Sequence, residues 1–480
     1  MAEEKTEKKL GITAKKEEDF SEWYNQVIAN AELADYAPVH GFMVIRPNGY
    51  AIWQKIMDFF NVALEKRGVR NAYFPLLIPE SFFKKEAEHA EGFAPEVAWI
   101  AQKDEAGERL AIRPTSETIM YDSYGKWIRS WRDLPLRINQ WCNVVRWEIK
   151  MTKLFLRTRE FLWQEGHCVY ETKEECDKEV RLFLEEYKKV SEELLAIPVI
   201  TGVKSEKEKF AGALYTTTLE ALMPDGRALQ MGTSHNLGQG FAKGFGVSFL
   251  GKTGKQELPW QSSWGFSTRL IGALIMVHSD NKGLVLPPNV AEHKLVIVPI
   301  IFDKEKQKVL KKASELKQKL SAFNPILDDR EEYTAGYKFN DWEAKGIPLR
   351  VEVGPKDLAK KQVVLVQRHS GKKEFVKEKE LAKKIPKLLE KMQEEMFEKA
   401  RAFLKASTIE AKTYDELKKG IESKKIVMAP FCGTVECEDF IKAETTASSR
   451  CFPFDQKESK LKCIRCGKDA AKKAFFAKSY

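Results

Sequence analysis

Four cysteines near the end of this 480-residue chain fall into two pairs, Cys432 with Cys437 and Cys463 with Cys466, the second followed by Gly467. Thiolates spaced this way suit a tetrahedral zinc site, and four of them leave no open position, so the role they predict is structural. Eight cysteines in a chain of this length are too few for a disulfide scaffold, and five lie in the last fifty residues. A disulfide is the weaker alternative in a reducing compartment, and unliganded surface thiols are the other. Cys451 is left over as a spare thiol, with an outside claim to replace one of the four.

A second pattern fails on inspection. Gly246 to Thr253 (GVSFLGKT) satisfies the phosphate-loop spacing G-x-x-x-x-G-K-[ST]. Such a loop must leave a buried strand and open a helix, so that backbone N–H groups and the helix dipole meet the phosphates. Here Lys252 and Thr253 run into Gly254 and Pro259, while Val247 to Leu250 itself reads as a strand. The segment is predicted to be a hairpin or loop.

Three separated segments carry the remaining chemistry. The first, Arg67 to Pro79 (RGVRNAYFPLLIP), is a helix end followed by an apolar run bounded by prolines. The second is Val145-Arg146-Trp147-Glu148, then Arg157-Thr158-Arg159-Glu160, then Phe161 to His167 (FLWQEGH). The third, Trp264 to Ala273 (WGFSTRLIGA), is a glycine-containing strand whose Arg269 opens a helix. Taken singly, Arg146 and Glu148 read as a cross-strand ion pair, Trp163 as core and His235 as a loop histidine. As an ordered set, the segments resemble motifs 1, 2 and 3 of the class II aminoacyl-tRNA synthetases. Arg113 to Glu117 (RPTSE) and Gln230 to Gly238 (QMGTSHNLG) resemble the prolyl branch of that class.

The resemblance implies an α+β catalytic domain with an antiparallel sheet flanked by helices, working as a homodimer. It implies ATP-dependent activation of L-proline and its transfer to tRNA(Pro). The motif 2 arginine, Arg146, would contact the α-phosphate and the proline carboxylate; Arg157, Thr158, Ser267 and Arg269 would meet ATP. Gln230 and Thr233 match positions near the ribose, the phosphates and Mg²⁺. Thr115, Glu117, Trp163, Glu165, His167 and His235 match the positions that enclose proline. The residue types suit this chemistry, since a guanidinium fork binds phosphate with two donors and stays protonated, and a secondary ammonium wants an anionic acceptor.

Several elements must position these residues. From Glu22 to about Pro288 short β-type runs (72–79, 137–145, 161–170) alternate with helical patterns, predicting one α+β catalytic unit over 21–288. After Pro287-Pro288, strand runs at 295–302, 349–353 and 363–366 alternate with Lys-rich helical stretches, predicting a small α/β domain over 289–400. Ala335 to Glu343 and Pro348 to Asp357 resemble the anticodon-binding domain of the same synthetase subgroup. Ile385, Leu388, Leu389, Met392, Met396 and Phe403 recur at helical spacing and predict an amphipathic helix leading into a small zinc-containing α+β C-terminal domain over 401–480. That segment matches the zinc domain of the archaeal and eukaryotic-like prolyl branch, which tends to end in a tyrosine directed toward the active site. This chain ends in Tyr480.

Net charge of +10 favours an anionic partner such as RNA and equally fits solvated Lys-rich helix faces. No run of eighteen apolar residues appears, and residues 1–20 carry charges of both signs without an apolar core. A cytoplasmic protein with a flexible charged tail and no membrane span is expected. About a hundred residues separate motifs 2 and 3, too few for an inserted editing domain, so dependence on a separate editing protein is expected. The main alternative is a catalytically silent synthetase-like protein that binds tRNA or senses an amino acid.

Overall fold

The computed structural model describes residues 11–87, 96–457 and 460–480. Its frame is a sheet of eleven strands: β1 Arg70–Asn71, β2 Leu136–Val145, β3 Glu160–Tyr170, β4 Ile200–Val203, β5 Tyr215–Leu222, β6 Arg227–Gly238, β7 Trp260–Ser267, β8 Thr408–Glu410, β9 Ile426–Phe431, β10 Ser448–Pro453 and β11 Lys472–Ser479. Their order is β8-β9-β11-β10-β4-β5-β6-β7-β3-β2-β1. Every neighbouring pair is antiparallel except β1 with β2 and β8 with β9.

One face of β3 and β7 is covered by helices. Trp264 of β7 stacks on Phe183 at 4.0 Å between ring centroids, and Phe60, Tyr187 and Phe266 pack edge-on around them. Phe183 belongs to the helix Lys173–Lys189, whose start is fixed by a reciprocal cap between Thr172 and Glu175. Truncating a ring buried this fully costs about 3–5 kcal/mol, so this aromatic cluster anchors the sheet whose other face forms the cleft.

The expected β-run over 72–79 is mostly irregular, with a strand only at Leu77–Pro79. Pro75 has no N–H to give, and side chains satisfy its neighbours: Gln140 Oε1 accepts from Phe74 N, and Arg113 Nη1 donates to Phe74 O at 2.7 Å. The phosphate-loop look-alike is a hairpin, Phe249–Leu250 against Gln256–Glu257, with Lys252 Nζ 2.9 Å from Glu171 Oε2.

A five-stranded sheet follows, ordered Ile326–Leu327, Leu295–Pro299, Leu349–Val353, Gln362–Gln367 and Lys373–Lys377, parallel in its first three strands and antiparallel in its last two. Helices including Lys306–Lys319 close its core through Val309, Ala313 and Leu316. The amphipathic helix runs from Leu381 to Ser407 without a break at residue 400, its apolar stripe buried through Ile385, Leu389, Met392 and Met396.

Strands β8 to β11 do not stand apart: they extend the main sheet. Strand β10 pairs with β4 through Phe452 with Val203 and Pro453 with Gly202. A Cβ on Gly202 would sit 2.3 Å from Phe452 O, so only glycine permits that approach. Residues 1–10 of the expected tail lie outside the described residues. Its later part is pinned, with Lys16 Nζ donating to Met276 O and Ser279 O at 2.7 and 2.8 Å. Tyr480 is docked as well: its N–H donates to Ala228 O and its hydroxyl to Asp225 Oδ2 at 2.6 Å. Among the described residues no helix is long and apolar enough to cross a membrane.

Candidate active site

The uncovered face of the sheet lines a cleft of about 620 Å³. Its floor follows from register, since residues paired across strands share a face and alternate residues repeat it. One row runs Gln140, Glu165, Gly265, Thr233, Thr218 across β2, β3, β7, β6 and β5. The next runs Ile138, His167, Ser263, His235, Thr216, and on the other side lie Cys142, Trp163 and Ser267. Gln230 would face away from Thr233 in a regular strand. A bulge places Gln230 opposite Glu220 while Gly232 stays opposite Leu219, which turns Gln230 back onto the cleft face.

Two arginines at strand ends enter the cleft. Arg146 follows β2, held by its N–H to Arg159 O at 2.8 Å, and its guanidinium lies 5.4 Å from the ring centroids of both Phe161 and Trp163. Arg269 opens the helix Arg269–His278 beyond β7, its Nε 3.3 Å from Leu156 O. Among the described residues neither guanidinium has an ion-pair partner, so the proposed pair of Arg146 with Glu148 does not form. Burial, and then Arg146, push Arg269 down to about 10. Two cations confined this way, one at a helix N-terminus, form a receptor for an anion with several oxygens.

Beside them lies a buried acidic pocket. Glu165 accepts from Ser116 Oγ at 2.5 Å, Ser116 N at 3.2 Å, Gln140 Nε2 at 3.1 Å and Cys142 Sγ at 3.3 Å, and pairs with His167 Nε2 at 3.0 Å. Burial would lower the His167 pKa, but Glu117 and Glu165 outweigh it and raise it, favouring the imidazolium. Glu117 accepts from Thr115 Oγ1 and retains acceptor capacity facing the cleft. Two carboxylates beside one histidine suit a cationic group such as an ammonium. Trp163 forms a half-buried wall, its Nε1 donating to Cys142 Sγ at 3.3 Å. Opposite stands His235, bonded to Thr216 Oγ1 at 2.9 Å and pushed down to about 3 by burial, then by His167, so it is neutral. The ligand atoms of Glu117, Glu165 and His167 lie within 4.8 Å of one another, close enough for a metal. The five donors already on Glu165 leave it little capacity for one.

The cleft wall thus includes Thr115, Glu117, Arg146, Trp163, Glu165, His167, Gln230, Thr233, His235, Ser267 and Arg269. Arg157 and Thr158 are not in that wall. The backbone of Arg157 pairs with Lys153 and leaves its side chain exposed, while the buried Thr158 hydroxyl donates to Glu160 O at 2.6 Å. Sequence reasoning missed Gln140, Cys142 and Thr216, which sit across the strands from Glu165, Trp163 and His235 and carry no local signal of their own.

Residues 99–278 match the family model described as the tRNA synthetase class II core domain (G, H, P, S and T), and residues 294–388 match the anticodon binding domain. Residues 414–480 match the model described as prolyl-tRNA synthetase, C-terminal. A proline–tRNA ligase of Natranaerobius thermophilus is 53% identical, over 96% of this chain and 97% of its own. The chain belongs to the prolyl-tRNA synthetase family. Further prolyl-tRNA synthetase relatives include a proline–tRNA ligase of Cenarchaeum symbiosum, 52% identical over 98% of this chain and 100% of its own. Another is proline–tRNA ligase 2 of Clostridioides difficile, 50% identical over 97% of each chain.

The second constellation lies within residues 414–480, the part matched by the C-terminal family model. Sγ of Cys437 and Cys463 are 3.6 Å apart, those of Cys466 and Cys432 3.8 Å, and all four fall within 4.8 Å. Thiolates at about 2.3 Å from a tetrahedral zinc sit roughly 3.8 Å from each other, so the donor set fits that ion without rearrangement. All eight cysteines are free, and Cys451 is buried among Leu222, Ala228 and Ile426, away from the four.

Proposed function

We infer that this chain is an ATP-dependent ligase that activates L-proline as prolyl-adenylate and transfers it to the 3′ end of tRNA(Pro). The observation that carries the reading is the juxtaposition of two arginines, without an ion-pair partner among the described residues, with the Glu117, Glu165 and His167 pocket, in a chain of this family.

A carboxylate oxygen of proline attacks the α-phosphorus, a P–O bond forms, and pyrophosphate leaves with the electrons of the broken P–O bond. A ribose hydroxyl of the tRNA then attacks the activated carbonyl carbon, loses its proton and expels AMP. Arg146 takes the proline carboxylate and α-phosphate together, holding nucleophile and electrophile in line. Arg269, aided by the exposed Arg157 side chain, neutralises the outgoing phosphates, while Gln230, Thr233 and Ser267 seat the nucleotide. Gln230 and Thr233 line the part of the cleft where Mg²⁺ bound with ATP would be held, and the ion would supply charge neutralisation to the leaving pyrophosphate.

The proline ammonium meets Glu117, with Thr115 holding that carboxylate and Glu165 holding His167. Trp163 and His235 close on the pyrrolidine ring. We assign residues 21–288 to catalysis, 289–400 to anticodon binding and 401–480 to a unit folded around a structural zinc on Cys432, Cys437, Cys463 and Cys466. A cytoplasmic homodimer, served by a separate editing protein, completes the proposal.

The test is ATP–pyrophosphate exchange with each of the twenty amino acids beside an Arg146→Ala variant. Proline-dependent exchange that vanishes in the variant supports the reading. Absence of exchange with every amino acid would leave a tRNA-binding or sensing role instead.

A further inference from the structure

A buried ion cluster joins the C-terminal unit to the ATP end of the cleft. Glu220 of β5 is fully buried, and Thr216, Thr218 and Glu220 alternate along the strand onto the cleft face, opposite His235, Thr233 and Gln230. Glu220 Oε1 accepts from Lys204 Nζ at 2.8 Å and Thr218 Oγ1 at 2.9 Å. Glu220 Oε2 accepts from Nη2 and Nε of Arg450 at 2.9 and 3.1 Å. Arg450 comes from β10, more than two hundred residues later, and its Nη1 is fixed by Ser448 Oγ at 3.1 Å.

A carboxylate this close to a triphosphate site is hazardous. Burial would raise its pKa, but Arg450 and Lys204 outweigh burial and hold it ionised. Its row continues through Gln230 toward Ser267, two residues before Arg269, and it favours the charge of that guanidinium against Arg146, Arg157 and Arg450. Released from Arg450, Glu220 would have one cation left in its own cluster and an unpaired arginine nearby, and a buried carboxylate that has lost its partner seeks another. Pairing with Arg269 would then remove a phosphate contact.

We propose that Arg450 is a positioning residue for ATP: by clamping Glu220 with a two-donor fork, the C-terminal unit keeps this carboxylate from competing with the nucleotide for Arg269. Apart from Trp163, which shares this row three strands away, the proline contacts lie one to two rows off, so the effect falls chiefly on ATP. The inference rests on the function proposed above, and wild-type exchange with proline tests that reading separately.

The experiment measures KM for ATP and for proline in pyrophosphate exchange for Arg450→Met, for Glu220→Gln with Arg450→Met, and for Ser449→Ala. Ser449 belongs to the same seam, bonded to Glu438 Oε1 at 2.7 Å and Ser205 Oγ at 3.2 Å, and serves as the structural control. Arg450→Met is expected to raise KM for ATP at least tenfold with KM for proline within twofold. Adding Glu220→Gln removes the competitor and restores KM for ATP to within threefold of the wild type. Ser449→Ala lowers Tm and leaves both constants unchanged. If Arg450→Met does not fold, Arg450→Lys keeps the charge but loses the fork, and a three- to tenfold rise in KM for ATP is expected. Equal loss toward both substrates, no change in KM for ATP, or a double variant no better than the single one would overturn the proposal.

Discussion

Replacing Glu117 by glutamine changes one charge and almost no volume. The amide oxygen can still accept from Thr115 Oγ1, and the Glu165 to His167 pair is untouched. The proline ammonium loses its nearest carboxylate, and His167 loses one of the two anions that favour its imidazolium, while the pyrrolidine walls remain. A hydrogen bond to a charged group contributes about 1.5–3 kcal/mol, which corresponds to a rise in KM for proline on the order of 10- to 150-fold. KM for ATP should stay within about twofold, because Arg146 and Arg269 are unaltered. Glu165→Gln provides the contrast. It removes the carboxylate hydrogen-bonded to buried His167 and leaves Glu117 to favour its charge, so its effect should appear first as a loss of stability of up to about 3–5 kcal/mol, read as Tm. Steady-state exchange with both substrates varied, alongside thermal unfolding, separates the two. A Glu117→Gln enzyme with unchanged KM for proline, or with ATP and proline constants raised together, would refute this assignment of the ammonium site.

Arg269→Ala should lower kcat/KM for ATP by about 2 kcal/mol or more, seen as a loss of roughly thirtyfold in exchange, with proline binding by calorimetry unchanged. Chelation, or Cys463→Ser, should release one zinc per chain in a colorimetric assay and lower Tm, because metal binding is coupled to folding of the surrounding loops. His235, held at about 3 when folded, resists a proton that the unfolded chain accepts near 6.5; its contribution to stability is therefore full above that value and lost as the pH falls toward 3. Tm measured from pH 7 to 4 should fall less steeply in His235→Asn than in the wild type. Alanyl-tRNA(Pro) formed by the purified chain should persist, since one or two missing methylenes discriminate by only about 1–3 kcal/mol each; rapid hydrolysis by the chain alone would contradict this.

Residue types and order alone determined the chemistry on offer. Arginines at the ends of apolar runs, the carboxylates and histidine of Arg113 to Glu117 and Phe161 to His167, and two close cysteine pairs are local patterns that survive without a fold. Periodicity likewise predicted a helix through Ile385 to Phe403, and apolar runs predicted the strands β2 and β3. Tertiary structure decided what pattern could not. The bulge in β6 that turns Gln230 inward depends on pairing with β5, and the five donors around Glu165 come from three separate segments. Arg157 and Thr158 fit their motif, yet the loop's own hydrogen bonds turn them out of the cleft wall. The union of the C-terminal strands with the catalytic sheet has no local signature, because it rests on a glycine meeting a backbone carbonyl two hundred and fifty residues away. Composition and spacing report what side chains can do; which of them meet is set by long-range strand pairing, whose partners no local window contains.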